Sequence, residues 1–329
     1  MTRTKCETDR RGNFSPMLKL VMRRLLFSVP LFFFVCSTSY VLIALIPGSI
    51  AQTILGINAT AEEYEAVNRS LGLDRPFLER YLNWILNALQ GDLGNSLYNS
   101  EPVSQLINQR LEATFSIIIC CTLICLVFGV TFGVISALRG GLIDRLLDGI
   151  AALGLAVPNF FLGVILVQLF ALRFSVFPAI GYVSLSESVS GWFQSMVLPV
   201  VTLSVSGIAV VTKQTRDAMR DVLGRPFIRT LKSNGVPQRS IIFKHALRNA
   251  AIPVVTVIGL VFVGILSGTV LVEGVFAVPG LGGLAVSAAS TSDVTLIQGI
   301  VVYFTLIIIS VNLVVDVLYG FLNPKIRNS

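Results

Sequence analysis

Six long runs without a charged side chain constrain this chain more than any other feature of its sequence. They cover residues 25–46, 114–138, 150–172, 192–212, 250–272 and 296–315. A hydrocarbon core about 30 Å thick is spanned by a helix of roughly 20 apolar residues, and a helix satisfies its own backbone hydrogen bonds inside lipid. Because 54% of the chain is hydrophobic and only 13% is charged, the runs predict an all-α, polytopic membrane protein with about six transmembrane helices.

Two of the runs need separate comment. The first follows Arg23 and Arg24, as the apolar part of a signal peptide would, but its 22 residues exceed the roughly 7–15 of a cleavable segment. We therefore predict an uncleaved helix. The third contains Pro158 followed by Asn159, which predicts a kink with one polar side chain, because proline removes a backbone donor from a helix. Asn159 then either lines a pathway or packs between helices.

The basic residues are distributed unevenly among the segments that connect the runs. With both termini placed in the cytoplasm, 20 of the 25 Lys and Arg residues lie in inner segments and 5 in outer ones. Inner loops of membrane proteins carry such an excess of Lys and Arg. The net charge of +7 therefore indicates topology, with both termini cytoplasmic, and gives no reason to expect a nucleic-acid partner.

This topology divides the chain into tails, loops and a membrane domain. A cytoplasmic tail, 1–24, precedes a transmembrane domain over 25–322, and a second cytoplasmic tail, 323–329, follows it. The domain contains an outer loop, 47–112, and an inner loop, 213–249. In the outer loop, early acidic residues and a late glycine predict a helix over 60–72. Apolar side chains at helical spacing predict a second, amphipathic helix over 74–89.

The inner loop is helical in pattern although it carries nine basic residues. Pro226 predicts the start of a short helix, and Gly235 followed by Pro237 predicts its end, because glycine accepts a left-handed cap and proline blocks continuation. Phe227 and Leu231 lie one turn apart and give this helix an apolar face. A second helix over 238–248 then leads into the fifth run.

Two interpretations of the inner loop remain open on charge alone. One is a solvated basic loop that contacts anionic membrane lipid, at about 1 kcal/mol for each basic residue. The other is a docking site for a protein partner. Two helices separated by a Gly–Pro break are more organised than topology requires, which favours the second.

At this loop the sequence resembles the permeases of bacterial ATP-driven (ABC) importers, specifically the first of the two permeases of dipeptide and oligopeptide importers. The resemblance is carried by Phe227-Ile-Arg-Thr-Leu-Lys-Ser-Asn-Gly235 and Lys244-His-Ala-Leu-Arg-Asn-Ala-Ala-Ile-Pro-Val-Val-Thr256. It extends over nearly the whole chain, through Leu71-Gly-Leu-Asp-Arg-Pro76, Gly91-Asp-Leu-Gly94, Pro279-Gly-Leu-Gly282, Gln298-Gly299 and Asn312-Leu-Val-Val-Asp-Val-Leu-Tyr319.

The resemblance implies a type I importer fold in the bacterial cytoplasmic membrane and three kinds of protein partner. These are a homologous second permease, ATP-binding subunits and an extracytoplasmic substrate-binding protein. Residues 229–235 would form a coupling helix in a cleft of the ATP-binding subunit. The implied coupling residues are Phe227, Arg229, Thr230, Leu231, Gly235 and His245. Leu231, Ser233 and Asn234 depart from the usual residues, which puts exchange of ATPases with related systems in doubt.

The sequence contains no phosphate-binding motif G-x-x-x-x-G-K-[ST] and no Gly-Lys pair at all. That loop cradles nucleotide phosphates, so we expect no enzyme activity and no cofactor in this chain, with ATP bound by partner subunits. The five cysteines lack the spacing and the accompanying histidines of a zinc site, so no metal is expected either.

Four further residues are candidates outside the inner loop. Glu273 lies at the predicted outer end of the fifth run, and Asp293 lies in the outer loop before Gln298-Gly299, where the resemblance implies an aspartate. With Asn159 they are candidates for a pathway or outer-face site; for Glu273, a contact with an interface water or a helix cap is the equal alternative. Asp316 is expected to pair with a basic residue of an inner loop. Gly259, Gly264 and Gly268 are expected to allow close approach of helices or of the two permease subunits.

The predicted function is transport of a dipeptide or oligopeptide. A nickel-chelate or glutathione importer is the nearer alternative, and an ion-coupled secondary transporter is the more distant one. The scarcity of ionisable residues within the runs argues against ion coupling, because proton and ion relays are built from such residues.

Overall fold

The computed structural model describes residues 16–45, 50–56 and 58–322. Most of the predicted tail 1–24 and all of the predicted tail 323–329 lie outside these residues. Within the described ranges the regular structure is helical, apart from one antiparallel bridge between Asn95 and Pro102. The predicted all-α class is confirmed.

The α-helices in chain order are α1 (Pro16–Ala44), α2 (Ile50–Leu55), α3 (Ala61–Ser70), α4 (Phe77–Leu89), α5 (Val103–Arg139), α6 (Gly141–Ala156), α7 (Asn159–Leu166), α8 (Val189–Leu223), α9 (Pro226–Ser233), α10 (Gln238–Ser240), α11 (Leu247–Val275), α12 (Leu281–Ser290) and α13 (Val294–Leu322). Two π-helical segments complete the set. Val167–Arg173 continues α7, and Ile241–Ala246 joins α10 to α11.

Five helical stretches of the described chain are long and apolar enough to cross a membrane. They are α1, α5, α8, α13 and the continuous stretch Gln238–Val275. The second predicted inner-loop helix is therefore the beginning of the fifth span.

The third predicted span, 150–172, is not one straight helix. Its residues belong to two helical pieces, Gly141–Ala156 and Asn159–Arg173, which meet at an angle of 97°. Val157 has an extended backbone (φ −86°, ψ 122°), because a residue before proline avoids the helical conformation. The predicted kink is thus a complete break, and the sixth span exists only if the bent pair is taken as one.

The predicted outer-loop helices are both present. Thr60 and Glu63 form a reciprocal capping box at the start of α3, and hydrogen bonds from the backbone and hydroxyl of Thr60 lower the pKa of the Glu63 carboxyl. Gly72 follows with a positive φ of 66°. The second helix begins later than predicted, at Phe77, with Pro76 before its first turn. Residues 103–112 of the outer loop already belong to α5.

Helices α5 and α8 form the centre of the bundle and approach closely through two glycines. A Cβ on Gly129 would lie 2.6 Å from the Val211 side chain, and one on Gly133 would lie 2.5 Å from Cβ of Thr215. Only a hydrogen fits in such contacts, which is how small residues spaced four apart let membrane helices pack. Of the predicted packing glycines, Gly259 makes a similar contact with Val315.

Candidate functional site

The inner loop is anchored to the bundle by a small apolar core of its own. Its fully buried members are Met219 of α8, Ile228 of α9, and Ala246 and Ala250 at the start of the fifth span. α8 ends at Leu223, and only Gly224 and Arg225 separate it from α9. Because the linker is so short and Ile228 is buried, α9 is held firmly against the end of α8.

The ends of α9 agree with the prediction from the sequence. Pro226 occupies its first turn, and Gly235 follows it with a φ of 73°. The N–H of Gly235 donates to the carbonyl of Lys232, and the N–H of Val236 donates to that of Leu231. Gly235 therefore reverses the chain in a conformation that other residues adopt only with strain.

Phe227 and Leu231, which were predicted to give α9 an apolar face, differ in their exposure. Ile228 supplies the buried contact, and Leu231 is half-buried against the same inner core. Phe227 is 37% exposed, and Arg229 and Thr230 are exposed as well. The free surface of α9 is thus one aromatic ring among polar and basic side chains.

His245 lies in the π-helical segment Ile241–Ala246, which packs against α9. Its side chain is half-buried, and its carbonyl accepts a hydrogen bond of 2.7 Å from the Asn249 amide. The structure therefore places His245 in a segment that contacts α9, the helix that carries most of the other predicted coupling residues.

A second candidate site is a cavity of about 280 Å³ bounded by α7, α8 and α11. Asn159 lines it, together with Leu203, Ser206, Gly207, Leu260 and Gly264. The break at Val157 and Pro158 is what exposes Asn159 there, because α7 begins with this residue. Apart from its chain neighbours and its own helix backbone, no described atom lies within 4 Å of the place where a Cβ on Gly264 would stand, so this glycine borders open space and makes no close contact with another helix of the described chain.

Glu273 is not an outer-face residue, since only 1% of it is exposed. One carboxylate oxygen accepts from Oγ1 of Thr114 at 2.8 Å, and the other accepts from the N–H of Gly283 at 3.0 Å. Thr114 in turn accepts from the N–H of Leu281. Glu273 therefore satisfies the first turn of α12, where a negative charge is favoured; of the two alternatives, the structure has the helix-cap contact.

Asp293 is likewise fully buried and is not an outer-face residue. Its Oδ1 accepts from the N–H of Leu296 at 3.0 Å, which caps α13, and its Oδ2 accepts from Oγ of Ser96 at 2.5 Å. It ties the turn before α5 to the start of α13. Nearby, the Gln298 amide bonds to α1 through Ser39 and Cys36.

Asp316 pairs with Arg24 of α1 at 3.0 Å. The predicted partner was a basic residue of an inner loop, so the choice of partner was wrong. The pair joins α1 to α13, which pack against each other along their length.

One group of charges near α9 was not predicted. Asp144 and Asp148 of α6 face Arg216 and Arg220 of α8, with a shortest N–O distance of 2.6 Å between Arg216 and Asp148. We call these four residues the inner ion cluster. The signal was present in the sequence, because each pair is spaced four residues apart and so lies on one helix face.

The described chain is a bundle of apolar helices with one broken span. It also has a short helix supported by its own core and a cavity between helices. These features are typical of membrane permeases. Family comparison agrees. The model described as "Binding-protein-dependent transport system inner membrane component" matches residues 129–328, and its N-terminal companion matches residues 17–118. The chain belongs to this family of ABC-importer permeases, and is a multi-pass inner-membrane permease subunit and not an enzyme.

Two curated relatives and one solved structure illustrate the similarity. The chain is 37% identical over 308 residues to "Probable peptide ABC transporter permease protein y4tP" of Sinorhizobium fredii, covering 93% of this chain and 98% of the relative. It is 38% identical over 312 residues to "Glutathione transport system permease protein GsiC" of Escherichia coli K12, covering 94% and 99%. The inward-facing MetNI methionine ABC transporter matches at a TM-score of 0.55 and 17% identity, over 68% of this chain and 99% of the other; it supports the fold.

Proposed function

We propose that this chain forms a peptide pathway across the inner membrane together with a homologous second permease. ATP-binding subunits dock on the free surface of α9, and a substrate-binding protein delivers the peptide to the opposite face. Both termini lie in the cytoplasm, in accordance with the excess of basic residues in the inner segments. The chain itself binds no nucleotide, since the energy enters through the ATP-binding subunits.

The observation that carries this proposal is the continuity of α8. Leu203, Ser206 and Gly207 line the cavity, and the same unbroken helix runs on to Leu223, next to α9. From Gly207 to Leu223 an α-helix rises about 24 Å. One rigid element therefore connects the cavity to the exposed helix, which is the arrangement that a transporter driven by separate ATPases requires.

The proposed substrate class is dipeptide or oligopeptide, with the tripeptide glutathione included. It is supported by the names of the two relatives, one a probable peptide permease and the other a glutathione permease. The cavity offers Asn159 and Ser206 as hydrogen-bonding groups among apolar side chains, which suits a peptide backbone. A nickel chelate remains the alternative cargo.

Filling the cavity tests the proposal. Gly264→Leu places a side chain into open space, so we expect the variant to fold and assemble while ATP-dependent uptake of a labelled tripeptide falls. The matched control is Gly274→Leu on the same helix, where no described atom lies within 4 Å either but which does not line the cavity.

The measurement uses the complex purified through a tag on this chain and reconstituted in lipid vesicles with its binding protein. We expect uptake by Gly264→Leu to fall well below uptake by Gly274→Leu, because a side chain in the pathway blocks the substrate without preventing assembly. Uptake by Gly264→Leu at the level of Gly274→Leu would overturn the assignment of the pathway. Uptake driven by a proton gradient without ATP would overturn the importer mechanism.

A further inference from the structure

The inner ion cluster joins two helices that are far apart in the chain. Arg216 Nη1 lies 2.6 Å from Asp148 and 3.4 Å from Asp144, and Arg220 Nη2 lies 2.8 Å from Asp144. Asp144 also accepts a hydrogen bond of 2.5 Å from Oγ of Ser136 on α5. The cluster thus links α6 to the last turns of α8, directly before α9.

The charges at the centre of the cluster are sheltered. The side chain of Arg216 is 11% exposed and that of Asp144 is 19% exposed. By contrast, Arg225 of the linker and Asp221 of the last turn of α8 form a 3.0 Å pair whose side chains are 52% and 72% exposed. Exposed pairs contribute little because water and salt screen them, whereas a sheltered network holds its partners more strongly.

α6 packs along the surface of α8 and α5. None of its residues is buried, and several of its apolar side chains, such as Leu142, Leu146 and Ile150, are more than half exposed. Its other close approach to α8 is at Gly154, where a Cβ would lie 2.9 Å from Val205. α6 therefore lies antiparallel along α8, fixed by charges at one end and by a glycine at the other.

The far end of α6 leads directly to the cavity. The chain breaks at Val157 and Pro158, and Asn159, the first residue of α7, lines the cavity wall. A helix moves as a rigid element between its ends and its breaks. A displacement of the inner end of α6 therefore also displaces its other end, at the break before Asn159.

We infer that Arg216 and Arg220 are positioning residues that make α6 follow α8, so that movement of α9 reaches Asn159 through the broken span. The inference rests on the proposed function and extends it to the route of coupling. When α8 moves with α9, the inner ion cluster draws α6 along, and the 97° bend converts that movement into a change in the cavity wall.

A merely structural cluster and a positioning cluster differ in what their loss does. If the cluster only held the fold together, its removal would lower membrane level, ATP hydrolysis and transport together. If it positions α6, hydrolysis stimulated by the binding protein persists while less substrate is moved. The number of substrate molecules transported per ATP hydrolysed is therefore the informative quantity.

The experiment compares Arg216→Ala with Arg216→Lys and with the control Arg225→Ala in the full complex in lipid vesicles. We expect Arg216→Ala to lower the transported substrate per ATP about tenfold, within the range of measured coupling between sites. Arg216→Lys keeps a cation facing Asp148 and is expected to recover most of the ratio. Arg225→Ala, which removes only an exposed pair, is expected to leave it unchanged.

Asp148→Asn provides a second variant that does not depend on the sheltered arginine, because the Asp148 side chain is 54% exposed and its loss is compatible with folding. It is expected to lower the same ratio by a smaller factor. A normal ratio in both Arg216→Ala and Asp148→Asn would overturn the inference and leave the proposed function intact. Uptake by the unmodified complex without ATP would overturn both.

Discussion

The two ends of the bundle use charged side chains in opposite ways. At the α11–α12 and α13 junctions, the carboxylates of Glu273 and Asp293 are enclosed, and both oxygens of each accept hydrogen bonds from groups of the same chain. At the end that carries α9, Asp144 and Arg216 remain partly exposed and join α6 to α8 through ion pairs, with one further hydrogen bond from Ser136 of α5 to Asp144.

This difference indicates which end is fixed and which is able to move. Opening a junction around Glu273 would leave buried donors without acceptors, and each such group costs about 1–3 kcal/mol. The inner ion cluster has a sheltered centre, but its outer members Asp148 and Arg220 are exposed, and water solvates these charges when the helices shift. We therefore expect the Glu273 and Asp293 junctions to stay intact during transport while α6, α8 and α9 shift.

The largest expected effect comes from opening the Glu273 junction. Glu273→Ala removes the acceptor of Thr114 and of the Gly283 N–H, so we expect a loss of about 3 kcal/mol or more in the free energy of unfolding. Gly280→Ala is expected to destabilise the same junction, because its Cβ would clash with the Glu273 carboxylate, at 2.1 Å from Cδ. The midpoint of thermal unfolding in detergent measures both.

The control for this prediction is Glu62→Ala, at an exposed position in the first turn of α3. It removes a carboxylate without opening a buried junction and is expected to leave the midpoint nearly unchanged. If Glu273→Ala unfolds at the same temperature as Glu62→Ala, the α11–α12 junction is not a fixed point.

A smaller effect is expected at Asp293. Asp293→Asn keeps the shape but replaces one acceptor oxygen by a donor, so either the cap on Leu296 or the bond from Ser96 is lost. Loss of a helix cap costs about 1 kcal/mol. We therefore expect the unfolding midpoint of Asp293→Asn to lie between that of the unmodified chain and that of Glu273→Ala. Asp74→Asn, at an exposed turn position, is the matched control. An equal unfolding midpoint for Asp293→Asn and Asp74→Asn would contradict the claim that Asp293 stabilises the start of α13.

The sequence predicts helices well and long-range polar partners poorly. The uncharged runs and the signals at Pro226 and Gly235 are local, so the spans and α9 follow from them. The role of Glu273 depends on Thr114, which is 159 residues away in the chain, and the role of Asp293 depends on Ser96, 197 residues away.

The broken span and the inner ion cluster are partly predictable from the sequence, less so than the helices and more so than the partners of Glu273 and Asp293. Pro158 marks the position of the break, but its angle of 97° depends on what packs on each side. The spacing of Asp144 with Asp148 and of Arg216 with Arg220 is visible in the sequence. That the two faces meet is a property of how α6 lies on α8, which no local pattern contains.

We propose that the ATP-binding subunit docks on α9 and moves it during transport. Substitution of two glycines tests this role of α9. Gly235 follows α9 with a φ of 73°, and Gly72 follows the outer helix α3 with a φ of 66°. Valine at either position introduces similar backbone strain, of about 1–3 kcal/mol, and neither site is crowded. Only their locations differ.

The measurement is the amount of ATP-binding subunit that co-purifies with Gly235→Val and with Gly72→Val, each at normal membrane level and normal pairing with the second permease. We expect Gly235→Val to lose most of the ATP-binding subunit together with ATP-dependent uptake, and we expect Gly72→Val to retain the ATP-binding subunit. Equal capture by the two variants, with normal uptake by Gly235→Val, would contradict the assignment of α9 as the coupling helix.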